Sequence, residues 1–217
     1  MVKISTLVRR FALQELRNSN ALFSLGLYLL GITYLIYLLE GSAAADSTWN
    51  TLLWIVVFFG AINQTSRSFE FEGGSYFYYF QTVATPKETI LAKLIFNTLY
   101  LVMIAFLTWA LFTLFYGNSV YHPSVFALGL ALGCLGFSSV LTLANGIAER
   151  SGGNATLSSV LAIPLMIPVL KIVSTINVQA MVGAPLEEVY ELVGSLFALD
   201  IAIGLLAYLL FPYLWQD

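Results

Sequence analysis

The sequence predicts an all-α integral membrane protein: one domain over residues 1–217, with six spanning helices behind an N-terminal amphipathic helix in the interface plane. Three observations carry this. First, of 217 residues 59% are hydrophobic and only 10% charged, where a soluble domain holds about 25% charged residues. Second, a spanning helix needs about 20 mainly apolar residues, and stretches of that kind occur at 21–39, 49–65, 90–116, 124–148, 156–177 and 190–214. Third, the basic residues are one-sided. Lys3, Arg9, Arg10, Arg17, Arg67, Lys87, Lys93 and Arg150 fall at one face of this arrangement, and the opposite loops at 40–48, 117–123 and 178–189 hold no Lys or Arg. Basic loops stay in the cytoplasm, so both termini are expected there, as an even number of spans requires.

The first segment, "KISTLVRRFALQELRN" (3–18), places Ile4, Leu7, Val8, Phe11 and Leu16 on one helical face, with Arg9, Arg10, Glu15 and Arg17 largely elsewhere. That pattern fits a helix lying at the lipid headgroups. "GSAAAD" (41–46) follows the first span and resembles a cleavage site. The apolar core before it is longer than the 7–15 residues, roughly, of a signal peptide, so the chain is expected to stay uncleaved.

The segment "SRSFEFEGGSYFYYFQTVATPKE" (66–88) is the longest outside the expected spans. Tyr76, Phe77, Tyr78, Tyr79 and Phe80 are too apolar to be left in water. They call for lipid at the interface or for a protein groove that takes a short aromatic helix. Thr85, Pro86 and Lys87 close this segment and belong to the same candidate docking loop.

In the fourth span Gly129 and Gly133 form a G-x-x-x-G, which permits close helix approach within the bundle or in a homodimer. The single cysteine, Cys134, excludes an internal disulfide, a Cys-based zinc site and a C-x-x-C-H haem attachment. In the fifth span Pro164, Pro168 and Lys171 sit at i, i+4 and i+7, one helical stripe. The prolines free the carbonyls one turn back, so the stripe is expected to be a hinge or a lining facing protein or a wet cavity. Lys171 lies about 24 Å along this helix, in the outer part of the bilayer. It reaches the outer interface, or pairs with Asp200 of the sixth span. His122, the only histidine, stands in an outer loop without a neighbouring second ligand; no metal site and no catalytic residue are expected.

The chain carries no G-x-x-x-x-G-K-[ST], so it does not bind ATP by a P-loop. Its layout resembles the membrane subunit of an ABC-2 type permease and, more narrowly, the CcmB family of haem exporter protein B in cytochrome c maturation. The residues that carry the resemblance are "GGNATLSSVLA" (152–162) with "IPLMIPVL" (163–170), "LAKLIFNTLYL" (91–101), and "LFALDIAIGLLAYLLFPYLWQD" (196–217), the last similar to Bacteroidetes-type members. The loop "EGGSYFYYFQTVATP" (72–86) keeps the family's Thr-Pro end but lacks its second acidic residue. The resemblance implies a bacterial inner-membrane, multi-pass protein working with a separate CcmA-like ATPase and with CcmC-like and CcmD-like membrane proteins. It implies haem as the handled ligand, no covalently bound cofactor, ATP on the partner only, and no nucleic acid. A permease for lipid, glycan or drug, a non-transporting scaffold, and a self-contained proton-coupled carrier using Lys171 and Asp200 are the alternatives.

Overall fold

A computed structural model describes residues 2–41, 45–70, 85–150 and 155–214. These residues form seven helices: α1 (Val2–Arg17), α2 (Ser19–Glu40), α3 (Asp46–Glu70), α4 (Pro86–Tyr116), α5 (Pro123–Arg150), α6 (Ala155–Met181) and α7 (Leu186–Leu214). Five of them, α2, α4, α5, α6 and α7, are long and apolar enough to cross a membrane.

The second expected span, α3, is set apart by its polarity. Its 25 residues would rise about 37 Å, enough to cross, but Asn50, Asn63, Gln64 and Thr65 lower its apolar content. The structure shows how such a helix is accommodated. Trp49, Leu53, Trp54, Val56, Val57 and Ala61 are buried, and α3 packs against α4, α5 and α6. Trp49 meets Phe112 of α4 edge-on at 5.4 Å, and Trp54 meets Phe137 of α5 at 5.5 Å. A helix clad in protein does not need a lipid-compatible surface all round.

The most enclosed element is α5, with α3, α4, α6 and α7 packed around it. Its small residues allow this. A Cβ on Gly129 would collide with Asn177, one on Gly133 with Trp54 and Val173, and one on Gly136 with Asp200 and Val169. The G-x-x-x-G therefore serves contacts inside the chain, the first of its two expected uses, and both glycines are occupied there.

Local signals explain the helix ends. Asn18 caps α2 by accepting a hydrogen bond from the Ala21 amide at 3.2 Å. At the start of α4, the Thr85 hydroxyl accepts from the Glu88 amide at 3.3 Å while the Glu88 carboxylate accepts from the Thr85 amide at 3.0 Å. With Pro86 in the first turn this is a complete capping box. The turn between α6 and α7 uses Gly183 at φ +95°, a conformation that favours glycine. Glu187 and Glu188 then occupy the first turn of α7, where the helix dipole favours negative charge.

The N-terminal helix departs from its expected face. Of the expected face Leu7 and Phe11 are buried within the chain, but Leu16 is exposed and Glu15 is buried instead. At 100° per residue Leu16 lies opposite Leu7, whereas Glu15 continues the Leu7–Phe11 stripe. That stripe rests on protein: α1 packs on α4, with Phe11 and Phe96 ring centroids 6.0 Å apart. Arg9 and Arg10 are exposed.

Candidate functional site

Of the candidate docking loop at 66–88, residues 66–70 continue α3 and residues 85–88 open α4. Tyr76, Phe77, Tyr78, Tyr79 and Phe80 lie outside the described residues. Thr85 and Pro86 form the capped start of α4, and the Lys87 ammonium lies over the ring of Tyr208 on α7, 5.5 Å from its centroid. The last residues of the loop are thus tied to two helices: α4 through the capping box and α7 through a cation–π contact.

About three turns further along α4 lies a polar layer. The Gln64 amide of α3 donates to the Asn97 carbonyl oxygen at 3.3 Å, and the Asn97 amide donates to the Thr142 hydroxyl of α5 at 3.1 Å. Thr65 donates to Gln64 at 3.2 Å. On the same side of the bundle Ser138 of α5 donates to the Leu94 carbonyl at 3.2 Å, and Ser158 of α6 donates to Asn145 of α5. Gln64, Asn97 and Thr142 are wholly or almost wholly buried, as is Lys93 one turn before Asn97. Polar groups in an apolar interior hold helices together only when they are matched, and this chain of bonds matches α3, α4 and α5. These residues were not singled out from the sequence. Their signal was there: Gln64 and Asn97 fall inside apolar stretches whose directions bring them to one depth.

The fifth-span stripe lies on the outer side of this single chain. Pro164, Pro168 and Lys171 do share a face, but it is the exposed face of α6. Ala162, Met166, Val169 and Val173 are the buried positions. The helix runs unbroken through both prolines from Ala155 to Met181. It neither breaks there nor turns the prolines inward, because the side that fits against the glycines of α5 is the opposite one.

Lys171 and Asp200 are also not brought together. Lys171 lines a groove of about 440 Å³ between α3 and α6, beside Thr51, Trp54, Phe58, Phe59 and Ser174. Near its rim Asn50 donates to the Ser174 hydroxyl at 2.9 Å. Asp200 lies in a different groove, between α4, α5 and α7, of about 530 Å³. It is 2% exposed, and neither carboxyl oxygen has a hydrogen-bond partner among the described residues. The pair fails because Val169 and Val173 occupy the α6 face turned to α5, which directs Lys171 toward α3.

His122 uses its backbone: its amide donates to the Ala180 carbonyl at 3.0 Å and ties the loop between α4 and α5 to the end of α6. Among the described residues no cluster of His, Cys, Asp or Glu could hold a metal ion.

The described residues form an apolar helical bundle in which the capped start of α4 leads to a hydrogen-bonded layer. No curated protein matches the chain. A family model described as CcmB protein does match, over residues 4–209, from the first turn of α1 to the last turns of α7. With nearly its whole length covered, the chain belongs to the CcmB family, the haem exporter membrane subunits of cytochrome c maturation.

Proposed function

We propose that this chain is the permease subunit of an ATP-driven complex that handles haem for c-type cytochromes, with the ATPase on a separate CcmA-like chain. CcmC-like and CcmD-like membrane proteins complete the complex, and both termini face the cytoplasm of a bacterial inner membrane. The observation that carries the proposal is the family match across residues 4–209. The geometry supports a route for the coupling. The ATPase engages residues 66–88, including Tyr76 to Phe80. A displacement there reaches Pro86 and the capping box, then moves α4 as one helix. The bonds from Asn97 to Gln64 and Thr142 carry the shift to α3 and α5. An ATP cycle does work on the bundle only by favouring one of two arrangements of these helices. Haem is the handled ligand, and ATP is bound by the partner alone.

The test is affinity purification of the tagged chain from native membranes in mild detergent. The wild-type chain brings down a small P-loop ATPase and a haem-binding membrane protein, and the double substitution Tyr78→Ala, Tyr79→Ala loses the ATPase. A wild-type preparation without any ATPase overturns the proposal. In a deletion strain c-type cytochromes fall; normal levels would leave the chain to another cargo or to a scaffold role.

A further inference from the structure

Lys171 stands on the membrane-spanning α6 without an acid to match it: none of the residues that line its groove between α3 and α6 is acidic. A lysine within a span is costly, and as a rule it meets an anion. The groove is graded along its length. In the proposed orientation the Asp46 end of α3 and the Met181 end of α6 lie at the outer face. Thr51 and Ser174 are then outermost, Lys171 and Ile55 about one turn deeper, and Phe58 and Phe59 about two turns deeper than Thr51. Asn50 donates to the Ser174 hydroxyl at 2.9 Å and fixes it at the mouth. Trp54 is buried, whereas Thr51, Ile55, Phe59 and Lys171 are exposed, so the groove can be entered from its side. Deeper in, the rings of Phe58 and Phe59 stand edge to face with centroids 5.3 Å apart. A cation and two hydroxyls at one end, with aromatic rings at the other, make a mostly apolar pocket whose few polar groups fix the direction of a ligand.

We propose that this groove binds haem by one edge, with a propionate carboxylate on the Lys171 ammonium and the porphyrin ring along Phe58 and Phe59. Haem is a flat apolar body with its carboxylates on one edge, so its two ends match the two ends of the groove. Flat rings gain contact area on aromatic walls, and a carboxylate forms a charge-assisted hydrogen bond with an ammonium. A phospholipid also carries an anion, but its phosphate stays at the membrane surface, whereas Lys171 lies about a turn below the hydroxyls at the mouth. A carboxylate on the edge of a rigid ring can follow the lysine to that depth. The proposal rests on the reading of this chain as a haem-handling subunit and names the place where the ligand meets it.

The experiment titrates the full chain, in phosphatidylcholine nanodiscs, with haemin and with haemin dimethyl ester, whose esterified propionates carry no charge. Binding is read from the Soret band after subtraction of empty nanodiscs. The wild-type chain is expected to bind haemin about tenfold more tightly than the ester, the loss of one charge-assisted contact. Lys171→Gln lowers haemin affinity about tenfold and leaves the ester unchanged, and Lys171→Arg keeps haemin binding. Phe59→Ala, at an exposed position, weakens both ligands. Equal affinities for haemin and ester, or equal haemin binding by the wild type and Lys171→Gln, overturn the proposal. So does loss of the Lys171-dependent binding when phosphatidylglycerol replaces phosphatidylcholine, which assigns the groove to a lipid headgroup. The wild type and Lys171→Gln are also returned to the deletion strain. If the wild type restores c-type cytochromes while haemin binding does not depend on Lys171, the groove assignment fails alone. If c-type cytochromes are normal without the chain, the haem-handling reading itself fails.

Discussion

Gly133 shows how much of this bundle depends on the absence of one methyl group. Its Cα hydrogen faces Trp54 of α3 and Val173 of α6, and an added Cβ would lie 2.9 Å from the Val173 methyl and closer still to the indole. Gly133→Ala is therefore expected to destabilise the chain by about 1–3 kcal/mol through overpacking. Gly194→Ala, where nothing lies within 4 Å, should not destabilise the chain and should gain up to about 1 kcal/mol from helix propensity. Thermal unfolding of the two variants in the same detergent checks this. At this scale the sequence was informative about type and silent about partner. The small residues at 129 and 133 announced close packing, but only the fold says that Asn177, Trp54 and Val173 fill those places. Leu16 was misplaced by a different route: it was grouped with Leu7 as an apolar residue although nine positions separate them, half a revolution in helical phase. Asp200 and Lys171 lie at comparable depths, and depth is legible from a sequence. The rotation of each helix about its own axis is not, and that rotation sends the two residues into separate grooves.

Among the elements, α4 was anticipated from residue 90 and begins at Pro86. The extra turn comes from the capping box, whose residues Thr85 and Glu88 were in plain sight but were read as loop. Removing the Thr85 hydroxyl by Thr85→Ala should cost about 1 kcal/mol at this helix end. Hydrogen exchange at the amides of Lys87 to Ile90 should then quicken about fivefold, and Thr85→Ser should restore the slow rate. If the exchange of these amides does not change, the cap does not hold the first turn. The same element scale explains α6. Its two prolines suggested a broken helix, yet the helix is continuous from Ala155 to Met181. The polar layer at Gln64, Asn97 and Thr142 escaped notice because each residue, taken alone, is an ordinary polar interruption of an apolar run. Only the antiparallel packing of α3, α4 and α5 aligns them. Asn97→Leu should lower stability by about 1–2 kcal/mol, and it should loosen α3 more than α6, which can be read from hydrogen exchange helix by helix.

For the molecule as a whole, the one-sided distribution of Lys and Arg sets the expected direction in the membrane, and Cys134 makes that direction easy to measure. The thiol is fully buried, so the wild-type chain gives little background with a membrane-impermeant maleimide. Cysteines placed at Asn118 and at Glu187 should react on the outer face in intact spheroplasts, and a cysteine at Lys87 only after permeabilisation. The opposite pattern would invert the topology and remove the docking loop from the reach of a cytoplasmic ATPase. The overall class was legible from composition because the bilayer admits few solutions: backbone groups must be satisfied within the segment. What composition does not encode is which helix is wrapped by the others. That role falls to α5, and the only hint was its glycines.

The polarity of α3 has a consequence for how the chain is made. A helix carrying Asn50, Asn63, Gln64 and Thr65 gains little by entering lipid on its own. Its place is secured by aromatic and hydrogen-bonding contacts on α4 and α5, both synthesised after it. During biogenesis α3 must therefore be retained near the insertion machinery until those later helices arrive. Lesions in its receiving surface, at Phe137 or Thr142, should first appear as shortened lifetime of the newly made chain and its removal by membrane proteases, before any defect in mature activity can be seen.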